Sequence, residues 1–273
     1  MNQIKIVGSA INTLSYFSSD LAAKLAVKIF STPRNAKLNE EGIQYLSSAE
    51  QMDVTCDGFQ VKTYQWKGNH KTVLLVHGWD SNSFRWKNLI ELLKQDDYNI
   101  ISIDAPAHGA SGSKIFNAPL YAKCLDVVIN QYKPEIVIGH SVGGTAIVIA
   151  QETHNLPSIE KLVLLGAPSN LGISVKNYTT MMGYNHRVAE AMNRYYLKYF
   201  GHLPEYYCVE NFFSNINAKG LIIHDKKDQI ISFREALDIK RVYKNSVLVK
   251  TNGYGHRLRS EKVYQHILDF LNA

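Results

Sequence analysis

The chain has 273 residues, 45% of them hydrophobic, and a formal net charge of +6. That length and apolar content support one large core, of a size ordinary for an α/β domain. The positive excess is spread along the chain with no Lys/Arg-rich block and no nucleic-acid motif, so DNA and RNA are not expected partners.

Residues 1–30 are interrupted by Asn12, Ser15, Ser18, Ser19 and Asp20. They make a poor signal-peptide core and no membrane span. Ile11, Leu14, Phe17, Leu21, Leu25 and Ile29 recur every three or four residues, which predicts an amphipathic helix. Lys5, Lys24, Lys28, Arg34 and Lys37 outnumber the one acid, Asp20, over residues 1–37. A basic amphipathic helix can lie on an anionic membrane, but packing on its own domain or on a partner chain, including a second copy, is the preferred reading. Pro33 closes the element, and "LNEEGIQYL" predicts a short helix capped by Asn39. Residues 1–51 therefore form a helical extension.

From residue 52 "MDVTC" and "FQVKTYQW" alternate apolar and polar residues around Asp57-Gly58, as in an antiparallel hairpin. "TVLLVHG", residues 72–78, is a continuous β-branched and leucine run, as in a strand covered on both faces. A helical stretch "SFRWKNLIELLKQ" follows, with Ser83 as its expected cap. Strands "NIISIDAP", "EIVIGHS", "KLVLLGAP", "GLIIHDKKD" and "SVLVKTNGYGH" then alternate with helical segments. The fold class is α/β, with a mostly parallel sheet flanked by helices. Residues 52–168 and 216–273 form the core, and residues 169–215 interrupt it as a helical lid. Cys56, Cys124 and Cys208 share no metal-ligand spacing and read as buried thiols of a reducing compartment, so the expected location is the cytoplasm.

In open α/β sheets, ligands bind beyond the carboxyl ends of the parallel strands. Gly139-His140-Ser141-Val142-Gly143 stands at one such end, a G-x-S-x-G strand-to-helix turn that lifts a serine hydroxyl clear of the sheet. A serine nucleophile needs a base, and the base an orienting carboxylate. His256, in "NGYGHR" after the last strand, is the expected base, and Asp228, in "HDKKDQI", the expected acid; Asp225 is its rival. Asp104 is placed to brace a loop, and His77, His108 and His140 to form hydrogen-bonded framework. "HDKKD" lacks the partner ligands of a metal site.

With these motifs in order, residues 52 to the end resemble the α/β-hydrolase superfamily, whose fold carries an eight-stranded sheet. "LLVHGW" resembles that family's oxyanion strand, and the resemblance implies the backbone N–H groups of Trp79 and Val142 as oxyanion donors. "DAPAHGAS" resembles its D-x-P-G-H-G-x-S loop, with Ala107 where the family has glycine. The implied activity is that of a serine hydrolase on a carboxylic ester, with no metal or organic cofactor. Thioester, lactone, peracid or acyl-transfer chemistry on the same triad, or a binding protein that keeps the fold, are the alternatives. The lid is rich in tyrosine and methionine; Tyr178, Met181, Met182 and Tyr195 are candidate contacts for a small or medium acyl group.

Overall fold

A computed structural model describes residues 3–154, 156–213 and 216–273. Residues 1–2 of the predicted N-terminal helix and 214–215 of the predicted lid lie outside these. The chain divides into two compact units, Pro33–Ser169 with Phe212–Ala273, and Met1–Thr32 with Asn170–Asn211. This partition differs from the one expected: residues 33–51 go with the sheet, and the N-terminal helices share a unit with the inserted segment.

In the N-terminal unit, the expected single helix is two, α1 (Gln3–Phe17) and α2 (Ser19–Phe30). Ser18 breaks the run: its backbone is extended, and its hydroxyl accepts the Leu21 N–H. The break resets the helical phase, and the expected apolar face is corrected in α2. Ala22, Ala23, Ala26 and Val27 are the buried side, while Leu21 and Leu25 face solvent. Small side chains let α2 lie close along α8 (His186–Phe200), which buries Val188, Ala191, Met192 and Tyr196. Asn12 fastens α1 to the turn between α7 (Leu171–Met182) and α8. Its side chain donates to the Gly183 carbonyl at 2.8 Å and accepts the Asn185 N–H at 2.8 Å. The Tyr178 hydroxyl donates to the Ala26 carbonyl at 2.9 Å.

The larger unit opens with α3 (Glu40–Leu46), capped by Asn39, followed by the hairpin β1 (Glu50–Cys56) and β2 (Phe59–Trp66). Next come β3 (Thr72–Val76), α4 (Lys87–Gln95), β4 (Asn99–Ile103), α5 (Ala118–Tyr132), β5 (Ile136–His140), α6 (Val142–Thr153) and β6 (Lys161–Leu165). After the insertion and a short turn α9 (Val209–Phe212) stand β7 (Lys219–Asp225), α10 (Phe233–Val242), β8 (Ser246–Thr251) and α11 (Glu261–Asn272). The eight strands lie in the order β1-β2-β4-β3-β5-β6-β7-β8. β3 to β8 run parallel, and β2 pairs antiparallel with both β1 and β4. Every residue of β5 is buried, which is why its sequence shows no alternation.

Two local expectations change. Residues 83–86 wind as a 3₁₀ turn before α4, and Asn82, not Ser83, caps them by accepting the Phe84 N–H. Cys56 and Cys124 are not free thiols: they form a disulfide, with only Cys208 unpaired. β1 ends where α5 passes, which brings two cysteines 68 positions apart to a Cα separation of 5.3 Å. Sequence separation could not reveal that proximity, and the bond removes cysteine usage as an argument for a reducing compartment.

Candidate active site

Ser141 is the single residue between β5 and α6, at φ 54° and ψ −136°. A non-glycine residue there stores roughly 1–3 kcal/mol of strain, held only because its surroundings fix it. Two close approaches do so. A Cβ at Gly139 would lie 2.6 Å from the Gly144 Cα, and one at Gly143 would run into the His77 carbonyl. The Ser141 hydroxyl makes no capping bond to α6. It points instead to His256, 3.0 Å from Nε2.

The His256 Nδ1–H donates to Asp228 Oδ2 at 2.7 Å. Ser141, His256 and Asp228 are thus joined in one hydrogen-bonded line. The other Asp228 oxygen accepts the N–H groups of Ile230 and Ile231 at 2.8 and 2.9 Å. His224 stands behind, its Nε2 3.4 Å from Asp228 Oδ2 and donating to the Ile231 carbonyl at 2.9 Å. Burial of Asp228 pushes its pKa up. Hydrogen bonds from His224, His256 and Ile231 outweigh that and hold the carboxyl well below the usual carboxylate range. It stays ionised and fixes the imidazole with the proton on Nδ1, leaving Nε2 to accept from the serine.

The rival, Asp225, has a different occupation. Its carboxylate accepts the Thr251 hydroxyl and the N–H groups of Lys227, Gly253 and Tyr254, at 2.8 to 3.1 Å. It therefore ties the start of the loop that carries His256 to the end of β7. Burial works to raise its pKa, but these donors win and hold it at about 2. The far side of the loop is tied down too: the His256 carbonyl accepts from His140 Nε2 at 2.8 Å, and the Arg257 carbonyl from Arg85 at 3.0 Å. Sequence reasoning found Asp225 only as a rival acid and gave Arg85 no role. Nothing local signals either role, because the partners that Asp225 and Arg85 hold from Thr251 onward lie 26 or more positions away.

His77 and His108 are framework. His77 is fully buried; its Nδ1–H donates to the Gly78 carbonyl at 2.8 Å and its Nε2 accepts the Ala105 N–H at 2.9 Å. His108 does the same between the Pro106 carbonyl and the Asp80 N–H. With one nitrogen of each ring committed as an acceptor, neither can take a second proton, and burial lowers both pKa values to about 3. Asp104 accepts the Tyr64 hydroxyl and the N–H groups of Ser83 and Ala110, bracing the loop after β4. In that loop Ala107 takes the left-handed conformation, φ 64°, that a glycine would hold without strain.

Val142 is the first residue of α6, where a backbone N–H has no partner within the helix. Trp79 follows Gly78 beyond the end of β3, its ring against His108 and Phe116. A Cβ at Gly78 would lie 2.8 Å from that of Ser141, so the segment leading to Trp79 passes directly beside the serine. Of the candidate lid contacts, Tyr178 and Met182 are buried in the core of the N-terminal unit, Tyr195 packs at its edge and Met181 is exposed. Among the described residues no three His, Cys, Asp or Glu side chains are grouped as a metal site requires.

The Alpha/beta hydrolase family matches the chain over residues 73–256. A Serine hydrolase-like protein of Danio rerio is 31% identical over 124 residues, covering 43% of this chain. The chain spans only 37% of that protein's length. The Uncharacterized hydrolase YugF of Bacillus subtilis (strain 168) is 26% identical over 271 residues, covering 80% of this chain and 96% of that protein. Among solved structures, an esterase (EaEST) from Exiguobacterium antarcticum superposes with a TM-score of 0.63 at 18% identity, over 82% of this chain and 100% of its own.

Proposed function

The chain belongs to the alpha/beta hydrolase family, and from that premise we propose that it is a hydrolase that cleaves a carboxylic ester through an acyl-serine intermediate. The observation that carries this reading is the unbroken line Ser141–His256–Asp228, with the serine on a strained turn and its hydroxyl directed at an imidazole. His256 Nε2 takes the hydroxyl proton as Ser141 Oγ attacks the acyl carbon. The N–H groups of Val142 and Trp79 receive the tetrahedral oxyanion; one such donor is typically worth about 3 kcal/mol. Collapse breaks the C–O bond, and the leaving alkoxide takes the proton back from His256. Water, activated by the same nitrogen, then attacks the acyl-serine and frees the acid. Asp228 remains a carboxylate throughout and stabilises the imidazolium. No step in this reading needs a metal or an organic cofactor.

Thioester, lactone and acyl-transfer chemistry would use the same atoms and differ only in leaving group or acceptor. The test is labelling with a fluorophosphonate, read by intact mass, on the wild type, Ser141→Ala and His256→Ala. Labelling that requires both side chains supports the reading. A folded wild type that takes no label would refute it and favour a binding protein that has kept the fold.

A further inference from the structure

The N-terminal unit has a surface unlike the rest of the chain. Of 19 exposed large hydrophobic side chains among the described residues, 11 belong to this unit, which holds 74 of the 273 residues. Scattered surface hydrophobics need no explanation, but this concentration does. Phe17 is 85% exposed and its neighbour Tyr16 68%, at the tip where α1 turns into α2. One turn on, Leu21 and Leu25 continue the apolar exposure, because the buried side of α2 is its alanine face.

Cations border this apolar surface. The unit carries seven Lys and Arg against four Asp and Glu. A groove of about 440 Å³ runs between α2 and α8, lined by Leu21, Lys24, Arg194, Tyr195, Lys198 and Tyr199, with Asp20 its one acid. Lys24, Lys28, Arg194 and Lys198 are exposed, and none makes an ion pair to a carboxylate among the described residues. At the tip, the Arg187 guanidinium lies 5.1 Å from the Tyr16 ring centre. Exposed leucine and phenylalanine beside unpaired lysine and arginine, with tyrosines between them, is the chemistry of a surface that rests in the headgroup layer of an anionic membrane. A protein partner with an apolar patch would not call for the cations, and a soluble anion would not call for Phe17.

We propose that the face formed by α2, α8 and the Tyr16–Phe17 tip docks this protein on an anionic phospholipid surface. The cations meet lipid phosphates, while Phe17, Leu21 and Leu25 enter the acyl boundary. Among the described residues no helix is long and apolar enough to cross a membrane, so attachment is interfacial and reversible. The proposal does not depend on the serine chemistry and can fail or stand without it.

The test is sedimentation of the full chain with vesicles of phosphatidylcholine alone and of phosphatidylcholine mixed with phosphatidylglycerol, at low and high salt. The wild type should pellet with the anionic vesicles, weakly with the neutral ones, and less as salt rises. Lys24→Gln/Arg194→Gln/Lys198→Gln should weaken partitioning roughly a hundredfold, at about fivefold per surface cation. Phe17→Ser/Leu21→Ser/Leu25→Ser should weaken it on the order of tenfold or more. All six side chains are at least partly exposed, so unfolding midpoints that match the wild type show that both variants fold. Three results would overturn the proposal: no binding to anionic vesicles, full binding by the folded triple-Gln variant, or a lipid-free dimer that the triple-Ser variant dissociates. The last would make the face a contact between copies of the chain.

Discussion

Asp225→Asn separates the carboxylate that holds the His256 loop from the one that touches the imidazole. Two donors reach each Asp225 oxygen: Lys227 and Gly253 N–H at Oδ1, Thr251 hydroxyl and Tyr254 N–H at Oδ2. An amide side chain keeps one acceptor oxygen and turns an NH₂ toward the other pair. The Thr251 hydroxyl can rotate to accept from it; a backbone N–H cannot, so at least one loses its acceptor. A hydrogen bond to a charged group contributes about 1.5–3 kcal/mol, and an orphaned donor costs a similar amount, so the expected loss at pH 7 is about 3 kcal/mol. The charge-dependent share can be read separately. Folding lowers the Asp225 pKa from 3.8 to about 2, worth about 2 kcal/mol. Because the folded value is the lower one, that stability is fully present above pH ~4 and is lost as the pH falls toward 2, with about 1 kcal/mol gone by pH 3. Urea unfolding of both proteins at pH 7, 4 and 3 should show a gap of about 3 kcal/mol that narrows by about 1 kcal/mol at the lowest pH. Fluorophosphonate labelling should slow in the variant although Ser141, His256 and Asp228 are intact. A variant as stable as the wild type, or a gap that ignores pH, would refute this role for Asp225.

Other expectations follow from the same geometry. Ser141→Gly should abolish labelling yet raise stability by about 1 kcal/mol in thermal unfolding, because glycine holds φ 54° without strain. Asp228→Asn should lower kcat by about 10⁴, measured on an activated ester, because the new NH₂ faces His256 Nδ1 and forces the wrong tautomer. Gly143→Ala should cost about 2–4 kcal/mol in urea unfolding, since its Cβ would meet the His77 carbonyl beside the turn that carries Ser141. Reducing the Cys56–Cys124 bond should lower stability by up to about 4 kcal/mol, from the 68-position loop that it closes.

Strand and helix patterns were legible in the sequence wherever burial imposed them. The continuous apolar runs of β3 and β5 and the alternation of β2 each marked a strand. Ser141, Asp228 and His256 could be named because each follows a strand at one end of the sheet. What stayed hidden depends on contacts between distant positions. The Cys56–Cys124 bond, the hold of Asp225 and Arg85 on the His256 loop, and the union of α1 and α2 with the inserted helices have no local pattern. The reversed face of α2 was hidden for another reason. Hydropathy ranks leucine above alanine, but close helix packing selects the smaller side chain.

The acyl-serine intermediate is the central claim, and rapid-quench kinetics on p-nitrophenyl acetate test it most directly. The account predicts a burst of nitrophenol equal to the enzyme concentration, followed by slower turnover, with an acetyl adduct mapped to Ser141 in the quenched protein and absent from Ser141→Ala. Release without a burst and without an adduct, or an adduct on any other residue, would contradict it.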